Sequence, residues 1–188
     1  MAQTNSLPTK FLANNEAWRP GWTNPATMVQ IRQSGTAPEG PLMIITCMDP
    51  RCDPVQFLGT GADGKPNTLF ASIRNPGGRI TKDTMRSVLT LRALNTISEG
   101  GTIAVVHHTD CGMTHLTDEY IREKALARNP ADDARINAIE YGCFTSEDFE
   151  ETIRIDMRTL RAESYVDGMD VLGFAFITET GELKQIFA

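Results

Sequence analysis

The stretch Thr102-Ile103-Ala104-Val105-Val106-His107-His108-Thr109-Asp110-Cys111-Gly112 reads as a buried strand that runs into a polar cluster. Its unbroken apolar run suits a strand covered on both faces, as in a parallel sheet flanked by helices. Immediately upstream, Gly100-Gly101 ends a segment over 82–98 with apolar residues at 85, 88, 89, 91, 94 and 97. That spacing predicts a helix, and glycine after the last periodic residue suits its C-terminus. Further upstream, Leu42–Thr46 is a second strand, ending at Cys47. After a loop over Gly59–Asn67, Thr68–Ile73 is a third, ending at Arg74-Asn75-Pro76-Gly77-Gly78. Downstream, helices are expected over Met113–Arg128 and Ser146–Ser164. Val171–Ile177, Glu179-Thr180-Gly181 and Leu183–Phe187 then read as a hairpin.

Strands alternating with helices predict an α/β fold with a mainly parallel central sheet flanked by helices. The segment before Pro41 is polar and interrupted by prolines at 8, 20, 25 and 38, so it is expected to form an N-terminal helical arm. A loop over Ser34–Pro41 would join it to the core, and the C-terminal β-hairpin closes the chain. Residues 1–188 are thus expected to be a single domain, with 1–40 as the arm and 41–188 as the core. In such sheets the ligand site lies beyond the carboxyl ends of the strands. The polar clusters after Ile45, Ile73 and Val106 all sit at such ends.

Hydrophobic residues make up 40% and charged residues 22% of the 188, the composition of a folded globular chain. A net charge of −6 without a basic run argues against nucleic acid as a partner. Runs such as Leu42–Ile45 and Ile103–Val106 are far shorter than the ~20 residues needed to span a bilayer, and the N-terminus shows no secretory signal. No membrane partner is expected. A cytoplasmic location follows, with an organellar address left open. Four cysteines without such a signal are too few for a disulfide scaffold and suit a reducing compartment.

Cys47, His108 and Cys111 provide two thiols and an imidazole at the ends of two strands. Such donors bind zinc tetrahedrally, and catalytic sites commonly keep one position for water or substrate. Asp49 and Arg51 follow Cys47 closely, although an aspartate–arginine pair by itself is an ordinary surface ion pair worth ~0–1 kcal/mol. His107 would face the opposite side of the strand from His108, as a packed histidine. Cys52 and Cys143 read as packed thiols, and His115 as a surface histidine. The glycines at 77 and 78 lack a phosphate-loop pattern and read as a tight turn near the metal.

Cys47-x-Asp49-x-Arg51, Arg74-Asn75-x-Gly77-Gly78 and His108-Thr109-Asp110-Cys111-Gly112-Met113 together resemble the β-class carbonic anhydrases. Their order and separation, and the closing region around Gly173, extend the likeness from Pro41 to Ala188. The resemblance implies Zn2+ held by Cys47, His108 and Cys111, with Asp49 and Arg51 as a dyad beside it. It implies reversible hydration of carbon dioxide to bicarbonate and a proton, and a homodimer or dimer-based oligomer whose arm reaches across the partner. Asp49 would orient the attacking group or, swung to the metal, become a fourth ligand and close the site. The Gly112 N–H is a candidate donor to a bicarbonate oxygen where the next helix begins.

Pro50 and Pro76 depart from the family pattern, which has serine and alanine there; Pro50 removes a backbone donor and fixes φ. Relatives with the same zinc motifs hydrolyse carbonyl sulfide or carbon disulfide, and that is the alternative activity. A non-catalytic zinc-binding protein with Asp49 as a permanent ligand is the alternative of another class.

Overall fold

Among the described residues five strands, β1 (Leu42–Cys47), β2 (Phe70–Asn75), β3 (Thr102–His108), β4 (Asp170–Ile177) and β5 (Glu182–Ile186), form one sheet in the order β2-β1-β3-β4-β5. The computed structural model describes residues 7–22, 27, 29–30, 42–62, 64, 68, 70–94 and 99–188. The expected loop over 34–41 lies outside these, as do part of the 59–67 loop and the end of the 82–98 helix. Every pairing from β2 to β4 is parallel, and β5 returns antiparallel to β4 as the expected hairpin.

The alternation of side chains along the strands separates two apolar clusters. Met43, Ile45, Ile103 and Val105 pack with Val88 of α3 (Lys82–Ala93) and with Ile153, Met157 and Leu160 of α6 (Phe149–Arg161). Ile44, Ala104 and Val106 pack with Cys52 and Phe176. A buried side chain of this size contributes roughly 1.5–3 kcal/mol, so the sheet's centre is where the core's stability concentrates. Gly173 in β4 lets α6 lie close: a Cβ there would collide with Met157 Sδ and sit 2.7 Å from Ile153 Cγ2.

Three shorter helices also belong to the described part of the core: α2 (Pro54–Leu58), α4 (Asp118–Arg128) and α5 (Asp133–Asn137). The helix expected from Met113 begins only at Asp118. Gly112–His115 is a 3₁₀ turn, and Leu116 is extended (φ −127, ψ 160). The Thr117 hydroxyl accepts from the Tyr120 N–H at 3.1 Å and so sets the helix start beyond the extended residue.

The chain divides into two compact units, Met1–Thr36 and Ala37–Ala188. In the first, α1 (Leu7–Trp18) leads into a 3₁₀ turn at Arg19–Gly21, with the Trp18 and Trp22 rings 5.1 Å apart. Among the described residues no helix is long and apolar enough to cross a membrane.

From β1 the chain passes to β2 on one side, then returns to lay β3 on the other. The carboxyl ends of β1 and β3 are therefore adjacent where the strand order reverses, the position at which open α/β sheets bind ligands. Thr46 is level with Val106, so Cys47 and His107-His108 leave the sheet side by side.

Candidate metal centre

Cys47 is the last residue of β1 and His108 the last of β3. Beyond His108, Asp110 adopts φ 53, the only non-glycine in the left-handed region among the described residues, and Cys111 follows it. Cys47, His108 and Cys111 are buried, and one ligand atom from each lies within 4.8 Å of the others. The two sulfurs are 3.9 Å apart. Neither nitrogen of His108 is aligned for a hydrogen bond although the residue is 1% exposed and lies beside the Cys47 thiol. An orphaned imidazole beside two thiols is costly unless something bonds it. A thiophilic divalent cation fits that donor set.

The thiols do not ionise alike. Cys47 is held well below the usual thiol range, first by its hydrogen bond with Cys111, against burial, and further by His108 and the Asp49 and Gly77 N–H groups. Cys111 is pushed up by the same contact with Cys47 and by burial. One negative charge is accommodated in the pocket and a second is resisted, which a bound cation would reverse.

Asp49 lies outside the metal-competent set. Its carboxylate accepts from Arg51 Nε at 3.0 Å, Arg51 Nη2 at 2.8 Å and the Arg51 backbone N–H at 2.9 Å. The hydrogen bonds from the Arg51 side chain are the main reason its carboxyl is lowered to about 2. Asp49 also caps the 3₁₀ turn Pro50–Cys52, in which Pro50 occupies the first position. The N–H that proline lacks there has no helical partner in any case, so Pro50 fits without loss. Pro76 opens the turn Pro76–Gly78 in the same way.

Backbone contacts fix the loop from beneath. Arg74 Nε donates to Cys47 O at 3.2 Å, and Arg74 Nη2 to Asp49 O at 2.7 Å. Gly78 has φ 72, and a Cβ there would lie 3.0 Å from Cys47 N and Thr46 C, so only glycine lets this turn press on the end of β1. Gly112 opens its 3₁₀ turn exposed, with open space where a side chain would be. The α-helix whose N-terminus would have reinforced its N–H starts six residues later.

The remaining candidates are not among the converging donors. Cys52 is buried and Cys143 half-buried, and burial pushes their thiols up to about 12 and about 11. His115 is exposed, with Nε2 3.7 Å from Asp110 Oδ1. His107 lies with its Nε2 3.1 Å from Asp156 Oδ2, close enough for an ion pair though not aligned as a hydrogen bond. Asp156 in turn accepts from Arg79 Nε at 2.8 Å and Nη2 at 3.3 Å, and Arg79 Nη1 donates to Gly142 O at 2.7 Å. Sequence reading missed this buried group, because nothing local marks partners so far apart in the chain. It also missed the contact between Arg51 and Asp110, although both residues stand in the motifs.

No protein-family model matches the chain. It is similar to Beta-carbonic anhydrase 1 of Mycobacterium bovis, 29% identical over 177 residues that cover 94% of this chain and 95% of that one. It is also similar to a carbon disulfide hydrolase of an Acidianus strain, 38% identical over 89 residues, covering 46% of this chain and 39% of the relative. Among solved structures, the carbonic anhydrase of Streptococcus mutans matches with a TM-score of 0.74 and 26% identity, over 98% of this chain and 100% of that one.

Proposed function

In sequence and fold the chain stands with the β-class carbonic anhydrases and their carbon disulfide hydrolase relatives, and from that premise we propose that it catalyses the reversible hydration of carbon dioxide to bicarbonate and a proton. Cys47, His108 and Cys111 would hold a zinc ion. Bound there, zinc would supply hydroxide near neutral pH, and two thiolates with one imidazole would set the pKa of its water above the ~7 of a three-histidine site. The observation that carries this reading is the buried donor set with its orphaned His108, next to a carboxylate already fixed by Arg51.

Asp49 accepts a hydrogen bond from the attacking group at a carboxylate oxygen and so aims its lone pair at carbon. Arg51 holds Asp49 in a planar fork, which favours this arrangement over Asp49 as a fourth ligand. Gly112 is exposed at the start of its turn, and its N–H is the proposed donor to the product's oxygen. The substrate carries no net charge, so its site needs no pairing group. The reading extends to a homodimer in which the arm carrying exposed Phe11 and Trp18 covers the partner, and to a cytoplasmic location, which suits four free cysteines.

Stopped-flow hydration of carbon dioxide by zinc-loaded protein at alkaline pH tests the reading. Fast zinc-dependent turnover that rises with pH is expected. A rate equal to that of buffer would remove it, and release of hydrogen sulfide from carbonyl sulfide or carbon disulfide would then identify the alternative suggested by the Acidianus relative.

A further inference from the structure

Arg51 does more than hold its near neighbour. While Nε and Nη2 take the two oxygens of Asp49, Nη1 donates to Asp110 Oδ2 at 2.9 Å and Nη2 also reaches Asp110 O at 3.1 Å. Asp49 lies just beyond Cys47, and Asp110 just before Cys111. The guanidinium therefore ties the loop after β1 to the loop after β3. The bond to Asp49 is local and would travel with its own loop. The bond to Asp110 is the one that fixes Arg51 relative to the second loop. Asp110 makes it from a left-handed backbone, where glycine is the usual residue and aspartate a tolerated one. Its other oxygen, Oδ1, faces His115 Nε2 at 3.7 Å.

We propose that Asp110 is a positioning residue: through Arg51 it clasps the Cys47 loop to the His108–Cys111 loop, sets the spacing of the metal-binding side chains, and steadies the fork that carries Asp49. This rests on the reading of Cys47, His108 and Cys111 as metal ligands. Arg51 and Asp110 are both widely open to solvent, at 47% and 58% side-chain exposure, so the clasp adds little to global stability. Its effect is local, on how long the site keeps its metal. Partners that orient metal ligands typically change affinity by about 10- to 100-fold when removed.

The test uses zinc-loaded protein and follows transfer of zinc to an excess of a chromogenic chelator. The variants are Asp110→Gly, Asp110→Asn, Arg51→Ala and the Arg51→Ala/Asp110→Gly double. Asp110→Gly is expected to release zinc about tenfold faster than the parent at an unchanged thermal midpoint. Asp110→Asn keeps an acceptor and tolerates the same backbone, so it falls between. In the Arg51→Ala background Asp110→Gly adds no further effect, because it acts only through that guanidinium. The cobalt(II)-substituted variants are expected to show a shifted visible spectrum.

If Asp110 served only its turn, glycine would hold zinc as long as the parent, and that result overturns the clasp. Additive effects of Asp110→Gly and Arg51→Ala overturn it too. A parent protein that fails to take up one zinc per chain would instead overturn the metal-site reading, and the clasp with it.

Discussion

His107 and His108 are adjacent in sequence and equally buried, yet they belong to two differently built sites. Each site pairs an arginine with an aspartate. On the side of the candidate metal centre, Asp49 and Arg51 are 19% and 47% exposed. Beneath His107, Asp156 and Arg79 are 2% and 15% exposed, and the Phe144 ring lies 5.7 Å from both the guanidinium carbon and the imidazole. In the dry site Asp156 depends on Arg79, because its carboxylate is cut off from water. In the wet site water competes for both groups, so the pair adds little to stability and can still bond a reacting group. The same residue types make a structural tie in one place and the proposed reactive pair in the other, and solvent access separates them.

The sharpest way to break this contrast is to exchange the histidines' fates. His108→Asn is expected to abolish stoichiometric zinc and bring hydration down to the buffer rate, whereas His107→Asn keeps one zinc per chain by elemental analysis. Equal loss of zinc in both variants would mean that the two sides are one site.

A smaller but still large effect belongs to the dry pair. Asp156→Leu leaves Arg79 uncompensated in the interior and is expected to destabilise the protein by about 3–5 kcal/mol in urea unfolding. Adding Arg79→Met to it should recover most of that loss, since an apolar pair of similar volume is often neutral or stabilising. An uncorrected double variant would show that the ion pair is more than a mutual tie.

The smallest expected effect comes from the wet pair in acid. The Asp49 carboxyl is lowered from 3.8 to about 2 in the folded protein. A depressed folded value stabilises above the unfolded value and is lost as pH falls through the folded one. The parent should therefore exceed Asp49→Asn in unfolding free energy at pH 5 and lose that excess between about pH 4 and about pH 2. Cys47 and its neighbours are the same in both proteins, so the difference isolates Asp49. A constant difference across the window would show that Arg51 does not favour the ionised form.

Much of this fold was legible in the chain itself. Apolar runs ending at Cys47 and at His107-His108 marked strands whose polar ends meet at the carboxyl end of the sheet, and β1 and β3 lie side by side there. The alternation of side chains also anticipated that His107 and His108 would face apart. The helix expected over Met113–Arg128 starts late, at Asp118, because the apolar pattern does not register an extended Leu116, or the Thr117 cap that follows it. The short helices α2 and α5 carry too few residues for a period to show.

By itself the sequence determined which residues could be strands and which side chains carry metal-competent chemistry, because period and covalent spacing act over a few residues. Only the tertiary structure decided that Arg79 meets Asp156, that Arg51 bridges to Asp110, and that Gly78 presses on Cys47. Those contacts join segments distant in the chain. They exist because the sheet order and the packing of α6 bring the segments together, and no local pattern of residues encodes that meeting.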